Sequence, residues 1–81
     1  MKIKIKAFAN VREILGYEEK PVEVPEDSCV SDVVRILSAD YPGLKSVSAM
    51  LLFACNENYC SKETRLSEND TLALFPPVSG G

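Results

Sequence analysis

One segment constrains the fold of this 81-residue chain more than any other. Val30, Val33, Val34, Leu37 and Tyr41 stand at i, i+3, i+4, i+7 and i+11, a single apolar stripe along an α-helix. Val30, Val33, Val34 and Ile36 are β-branched and mediocre helix formers, so packing rather than propensity must hold this helix. Asp27-Ser28 supplies N-cap chemistry at its start. Tyr41-Pro42-Gly43 ends it, because the residue before a proline is driven out of the helical region. Most of the remaining chain has strand periodicity, so the surface that receives the stripe is a sheet.

Residues 2–8 put Ile3, Ile5 and Ala7 on one face and Lys2, Lys4 and Lys6 on the other, the pattern of a strand with one wet side. Phe8 breaks the alternation. Asn10 with Glu13 fits a capping-box start and Gly16 a C-terminal stop, which predicts a short helix over 10–15 with Val11, Ile14 and Leu15 facing in. Residues 19–24 form a second strand with Val22 and Val24 on one face. Pro21 lacks a ladder donor and assigns that strand to an edge. Residues 44–49 read as a loop or marginal turn, and Met50–Cys55 as a strand covered on both faces or nearly so. Asn56-Glu57-Asn58 is turn chemistry leading to a short returning strand at Tyr59-Cys60. Leu66 anchors the irregular 61–66 stretch, Ser67–Asp70 is a polar turn, and Thr71–Phe75 is the last strand.

One sheet crossed by one main helix is the simplest α+β solution to this order. It predicts a β-grasp, or ubiquitin-like, roll with a mixed sheet of about four to five strands. The first two strands pair antiparallel, and the first, the last and the 50–55 strands take central places. Residues 1–75 form the domain and 76–81 a flexible C-terminal tail.

Nine basic against twelve acidic side chains leave a net charge of −3, which gives no electrostatic reason to bind nucleic acid or an anionic membrane. No apolar run approaches a membrane span, and the charged N-terminus lacks a signal-peptide core, so a cytoplasmic location is expected. Cys29, Cys55 and Cys60 are an odd set, expected to be reduced thiols in core or half-buried places. With no histidine and no Cys-x-x-Cys, neither a metal site nor an imidazole-activated thiol is expected.

Chemistry concentrates at the end. Pro76-Pro77 fixes a stiff, extended exit from the last strand. From Pro76 to Gly81 an extended chain spans about 20 Å, enough to enter another protein's active site. Gly80 and Gly81 give the narrowest cross-section and accept any backbone angle a tunnel imposes. The reactive group at the tip is the α-carboxylate, which needs a leaving group before it can donate an acyl group. Attack on the α-phosphorus of ATP makes an acyl-adenylate at Gly81. An amine nucleophile then yields a protein tag, and a sulfur nucleophile yields a thiocarboxylate. A phosphate loop is absent, so the tail is a substrate for a separate adenylating enzyme that consumes ATP, and no cofactor is expected on this chain. The bland alternatives are a frayed terminus and an unreactive interaction module.

The stretch from Asn69 through Thr71–Phe75 to Pro76-Pro77-Val78-Ser79-Gly80-Gly81 resembles the C-terminal signature of molybdopterin synthase small subunits. Residues 5–13 and 52–59 also resemble that family, so the likeness spans the chain. The resemblance implies a ubiquitin-like sulfur carrier of molybdenum cofactor biosynthesis. An enzyme similar to the ubiquitin-activating class would adenylate Gly81, and sulfur transfer would make it a thiocarboxylate. The tail would then enter the synthase large subunit and give its sulfur to cyclic pyranopterin monophosphate. It further implies a heterotetramer of two small and two large subunits. Gly80 would provide access, and Phe75, Pro76, Pro77, Val78 and Ser79 would line the partner's groove. A carrier of another pathway, such as the thiamine type, and a lysine-conjugated modifier share the same tip chemistry.

Overall fold

A computed structural model describes residues 1–77. Five strands, β1 (Lys2–Ala7), β2 (Glu19–Glu23), β3 (Leu52–Cys55), β4 (Asn58–Cys60) and β5 (Thr71–Phe75), join in one sheet of order β2-β1-β5-β3-β4. The helices are α1 (Ala9–Leu15), α2 (Val30–Asp40) and α3 (Pro42–Val47), followed by a 3-10 turn at Ser48–Met50. The β1–β5 pair is parallel and the other pairs are antiparallel. This is the mixed-sheet β-grasp roll expected from the element order, with β1, β5 and β3 inside and the proline-bearing β2 at one edge.

The strict alternation of β1 decides which side of the sheet carries the core. Ile3, Ile5 and Ala7 are buried, and they align with Leu72 and Leu74 of β5 and Phe53 of β3 on the same side. Helix α2 lays Val30, Val33, Val34 and Leu37 onto this layer, and all four are buried. Burying each such side chain is worth roughly 1.5–3 kcal/mol, which exceeds the propensity deficit of a valine-rich helix. Leu66 is buried as the anchor of the irregular stretch.

Four local expectations are corrected. The cap of α2 is Cys29, not Asp27-Ser28: the Asp32 carboxylate accepts the Cys29 backbone N–H at 3.0 Å, and the next amides, of Val30 and Ser31, donate to the carbonyls of Thr64 and Lys62. Asp27 instead turns in the left-handed region, and the buried Ser28 donates its hydroxyl to the Pro25 carbonyl at 2.6 Å. Helix α1 starts one residue early, with Phe8 at the N-cap and no capping bond from Asn10, although Gly16 does close it at φ 81°. Residues 42–47 are helical because Pro42 occupies the first turn, where a missing N–H costs nothing. Finally, β3 begins at Leu52 and only one of its faces is covered, with Leu52 exposed.

Candidate docking face

The side of the sheet opposite the helices has two halves. On β1 it presents Lys2, Lys4 and Lys6, with the Lys4 ammonium 2.8 Å from the Glu19 carboxylate on the neighbouring edge strand. That pairing holds Glu19 below the usual carboxylate range, first through the hydrogen bond from Lys4 and then through the charges of Lys4 and Lys6. Toward β3 and β4 the outer positions turn apolar. Register aligns Tyr59 with Ala54 and Ala54 with Ala73, while Leu52 faces Phe75. Phe8, at the end of β1, packs edge-on against Phe75 at 6.3 Å between ring centroids, and Tyr59 tilts onto the same ring at 5.9 Å.

The result is a shallow apolar depression centred on Phe75, walled by Phe8 and Tyr59 and floored by Ala54 and Ala73. Tyr59 is 80% exposed and Phe8 46%, although both are large hydrophobic side chains. A contiguous exposed patch of this kind marks an interaction surface, and its aromatic anchors are the side chains that dominate binding energy at protein interfaces. Lys6 and Glu57 stand on its rim with opposite charges.

Pro76 and Pro77 line the same depression and lie just beyond the end of β5. Phe75, Pro76 and Pro77, three of the residues expected to meet a partner, are therefore brought together on one face. Val78, Ser79, Gly80 and Gly81 lie outside the described residues. Sequence reasoning missed Phe8, Leu52 and Tyr59. Their signal was present as large apolar residues at outward positions of half-buried strands, but only the register shows that they meet.

The turn beneath this face is locked by side chains. The Asp70 carboxylate accepts the Ser67 backbone N–H at 2.7 Å and the Asn56 side-chain amide at 2.9 Å, and Asn56 Oδ1 accepts the Thr71 N–H at 3.0 Å. Asn56 and Glu57 form the two-residue hairpin loop between β3 and β4, with φ of 51° and 72°, the twist such loops require. Partial burial works against the Asp70 charge, but the bonds from Asn56, Ser67 and Cys55 outweigh it and hold this carboxyl below its ordinary range. The Cys55 thiol points at Asp70 across 3.6 Å. Burial, then the Asp70 charge, pushes it up to about 11. Burial also raises Cys60, against a hydrogen bond from Thr64. All three cysteines are free and half-buried. Among the described residues no three potential ligands converge to hold a metal ion, and no helix is long and apolar enough to cross a membrane.

Fold and face together define a β-grasp domain of the ubiquitin-like class, with an exposed aromatic face at the root of the C-terminal segment. A ThiS family model matches residues 5–81, and the chain belongs to the ThiS family. It is 36% identical to the molybdopterin synthase sulfur carrier subunit of Dictyostelium discoideum, over 96% of this chain and 94% of that one. The corresponding subunit of Chlamydomonas reinhardtii is 34% identical over all of both chains. Among solved structures, small archaeal modifier protein 1 of Methanosarcina acetivorans superposes with a TM-score of 0.84 at 32% identity, covering 99% of this chain and 96% of that one.

Proposed function

We propose that this protein is the sulfur carrier subunit of a molybdopterin synthase. The observation that carries this reading is an exposed aromatic face, joined to the Pro76-Pro77 exit, in a chain similar over nearly its whole length to sulfur carrier subunits of that enzyme. The Gly81 carboxylate attacks the α-phosphorus of ATP in an adenylating enzyme, and pyrophosphate leaves. Sulfur at the sulfide level attacks the acyl carbon, AMP leaves, and a thiocarboxylate remains. In the large subunit the thiocarboxylate sulfur replaces an oxygen substituent on a carbon of cyclic pyranopterin monophosphate, which leaves as water. Hydrolysis of the resulting acyl–sulfur bond leaves sulfur on the pterin and returns the carboxylate. The catalytic pockets belong to the partners, and this chain supplies the docking face, the reach and the reactive end. Phe75, Pro76, Pro77, Val78 and Ser79 line the partner's groove, Gly80 gives the tip access to its active site, and two carriers flank a dimer of large subunits in the cytoplasm.

The test is intact-mass analysis after incubation with the adenylating enzyme, ATP and a sulfur source. The expected product gains the mass of one oxygen-to-sulfur exchange, located at Gly81. Modification of a cysteine instead of Gly81 would overturn the reading. A single residue appended after Gly81 converts the carboxylate into a peptide bond and should abolish the gain while leaving the fold intact.

The similarity to a small archaeal modifier protein supports a second reading, in which the Gly81 adenylate acylates lysines of other proteins. Adducts linked through Gly81 that survive both thiol and boiling would favour it.

A further inference from the structure

On the layer opposite the docking face, a cleft of about 560 Å³ opens between α2, the α3 to 3-10 segment and the β3–β4 end of the sheet. Its floor is apolar, with Val34 and Phe53 at its base. Its walls carry Arg35, Lys45 and Lys62 together with the hydroxyls of Ser38 and Ser48, and no carboxylate belongs to the lining. Three of the nine Lys and Arg side chains of a chain whose net charge is −3 thus meet at one cleft.

The cations come from three separate parts of the chain. Arg35 stands on the outer flank of α2, Lys45 on α3, and Lys62 in the loop whose carbonyl receives the Ser31 N–H at 2.9 Å. That bond fixes the Lys62 loop against the start of α2. Arg35 is engaged by Asp32 at 2.8 Å, but among the described residues neither lysine lies within ion-pair distance of a carboxylate. An apolar floor under a cationic rim selects an anion that also carries an apolar group.

We propose that this cleft is a second docking site, for an acidic peptide segment of a partner protein that seats one apolar side chain over Val34 and Phe53. Charge complementarity argues for that occupant: the carboxylates of the segment face Lys45, Lys62 and Arg35, and the volume accommodates one or two side chains. A polyanion tracked through its phosphates would have no use for the apolar floor. Because the site lies across the molecule from Phe75, its occupation leaves the sheet face with Pro76 and Pro77 open. A partner held here can therefore accompany the protein while another engages the tail.

The experiment is a titration of the ¹⁵N-labelled full chain, followed by amide shifts, with the blocked hexapeptide Asp-Glu-Leu-Leu-Glu-Asp. Expected are saturable shifts at Val34, Arg35, Ser38, Lys45, Ser48 and Lys62, with Lys4 and Tyr59 unmoved. The double variant Lys45→Glu/Lys62→Glu, both at exposed positions, should retain a dispersed spectrum and bind at least about tenfold more weakly. A peptide with lysines in place of the acids should produce no shifts. Saturation at the sheet face, absence of saturation at millimolar peptide, or unchanged affinity in the double variant would each overturn the proposal. So would equal shifts with inorganic phosphate alone, which would make the cleft a small-anion site.

Discussion

At Asp70 a single carboxylate joins the β3–β4 hairpin to the turn before β5. It does so with three acceptor contacts, to Ser67, Asn56 and Cys55. Asp70→Ala exchanges those hydrogen bonds for bonds to water and is expected to cost about 1–2 kcal/mol in urea unfolding at pH 7. Its folded pKa is depressed, so the contribution is complete above the unfolded value and is lost as pH falls through the folded one. The stability gap between parent and variant should therefore close in acid. A gap that persists at low pH would mean that packing, not charge, carries the effect. Burial first, and then the charge of the same carboxylate, makes Cys55 a less reactive thiol. A thiol raised from 9.0 to about 11 holds roughly a hundredfold less thiolate near neutral pH. Alkylation of Cys55 by iodoacetamide at pH 8 is expected to be much slower in the folded protein than in urea. Equal rates in the two states would rule this out.

Among the elements, α2 depends most on its neighbours. Its valines disfavour isolated helix, and its first amides are satisfied by Asp32 and by carbonyls of the 61–65 loop rather than by the residues expected to cap it. Leu37→Ala opens a void under the last turn and is expected to cost about 2–4 kcal/mol, read from the urea midpoint at unchanged slope. A cost under about 0.5 kcal/mol would mean that the stripe is not the stabilising contact. At the end of α1, Gly16 sits at φ 81° with open space around it, so a side chain there meets strain but no clash. Gly16→Ala should lose about 1 kcal/mol from backbone conformation alone. The short α3 was hidden because Pro42 ends one helix and begins the next; a Cβ added at Gly43 would lie 3.4 Å from the Ile14 side chain.

For the whole molecule, a single sheet separates two surfaces of different character. The outer face is aromatic around Phe75 with lysines beside it, and the helix side opens a cationic cleft. Tyr59 is largely in solvent, so Tyr59→Glu should change stability by no more than about 0.5 kcal/mol. The same change places a charge in the wall of the docking depression, against the Phe75 ring. If the proposed large-subunit partner docks here, its binding, measured by calorimetry, should weaken at least about tenfold. Unchanged affinity would move the interface elsewhere on the domain.

The sequence by itself determined the elements whose side chains repeat with a clear period. The alternation of Ile3, Ile5 and Ala7 and the Val30–Leu37 stripe are each set by one-sided burial, and burial on one face leaves its period in the residues. It also marked the C-terminal segment, since Pro76-Pro77 and the terminal glycines restrict or free the backbone wherever they stand. What only the tertiary structure decided were features made by residues distant in the chain. The parallel β1–β5 register brings Phe8 onto Phe75, and the β3–β4 hairpin carries Tyr59 to the same ring. The cap of α2 is completed by a loop more than thirty residues away, at Lys62 and Thr64. Such contacts depend on register and packing, and pairing across the fold leaves no period along the chain.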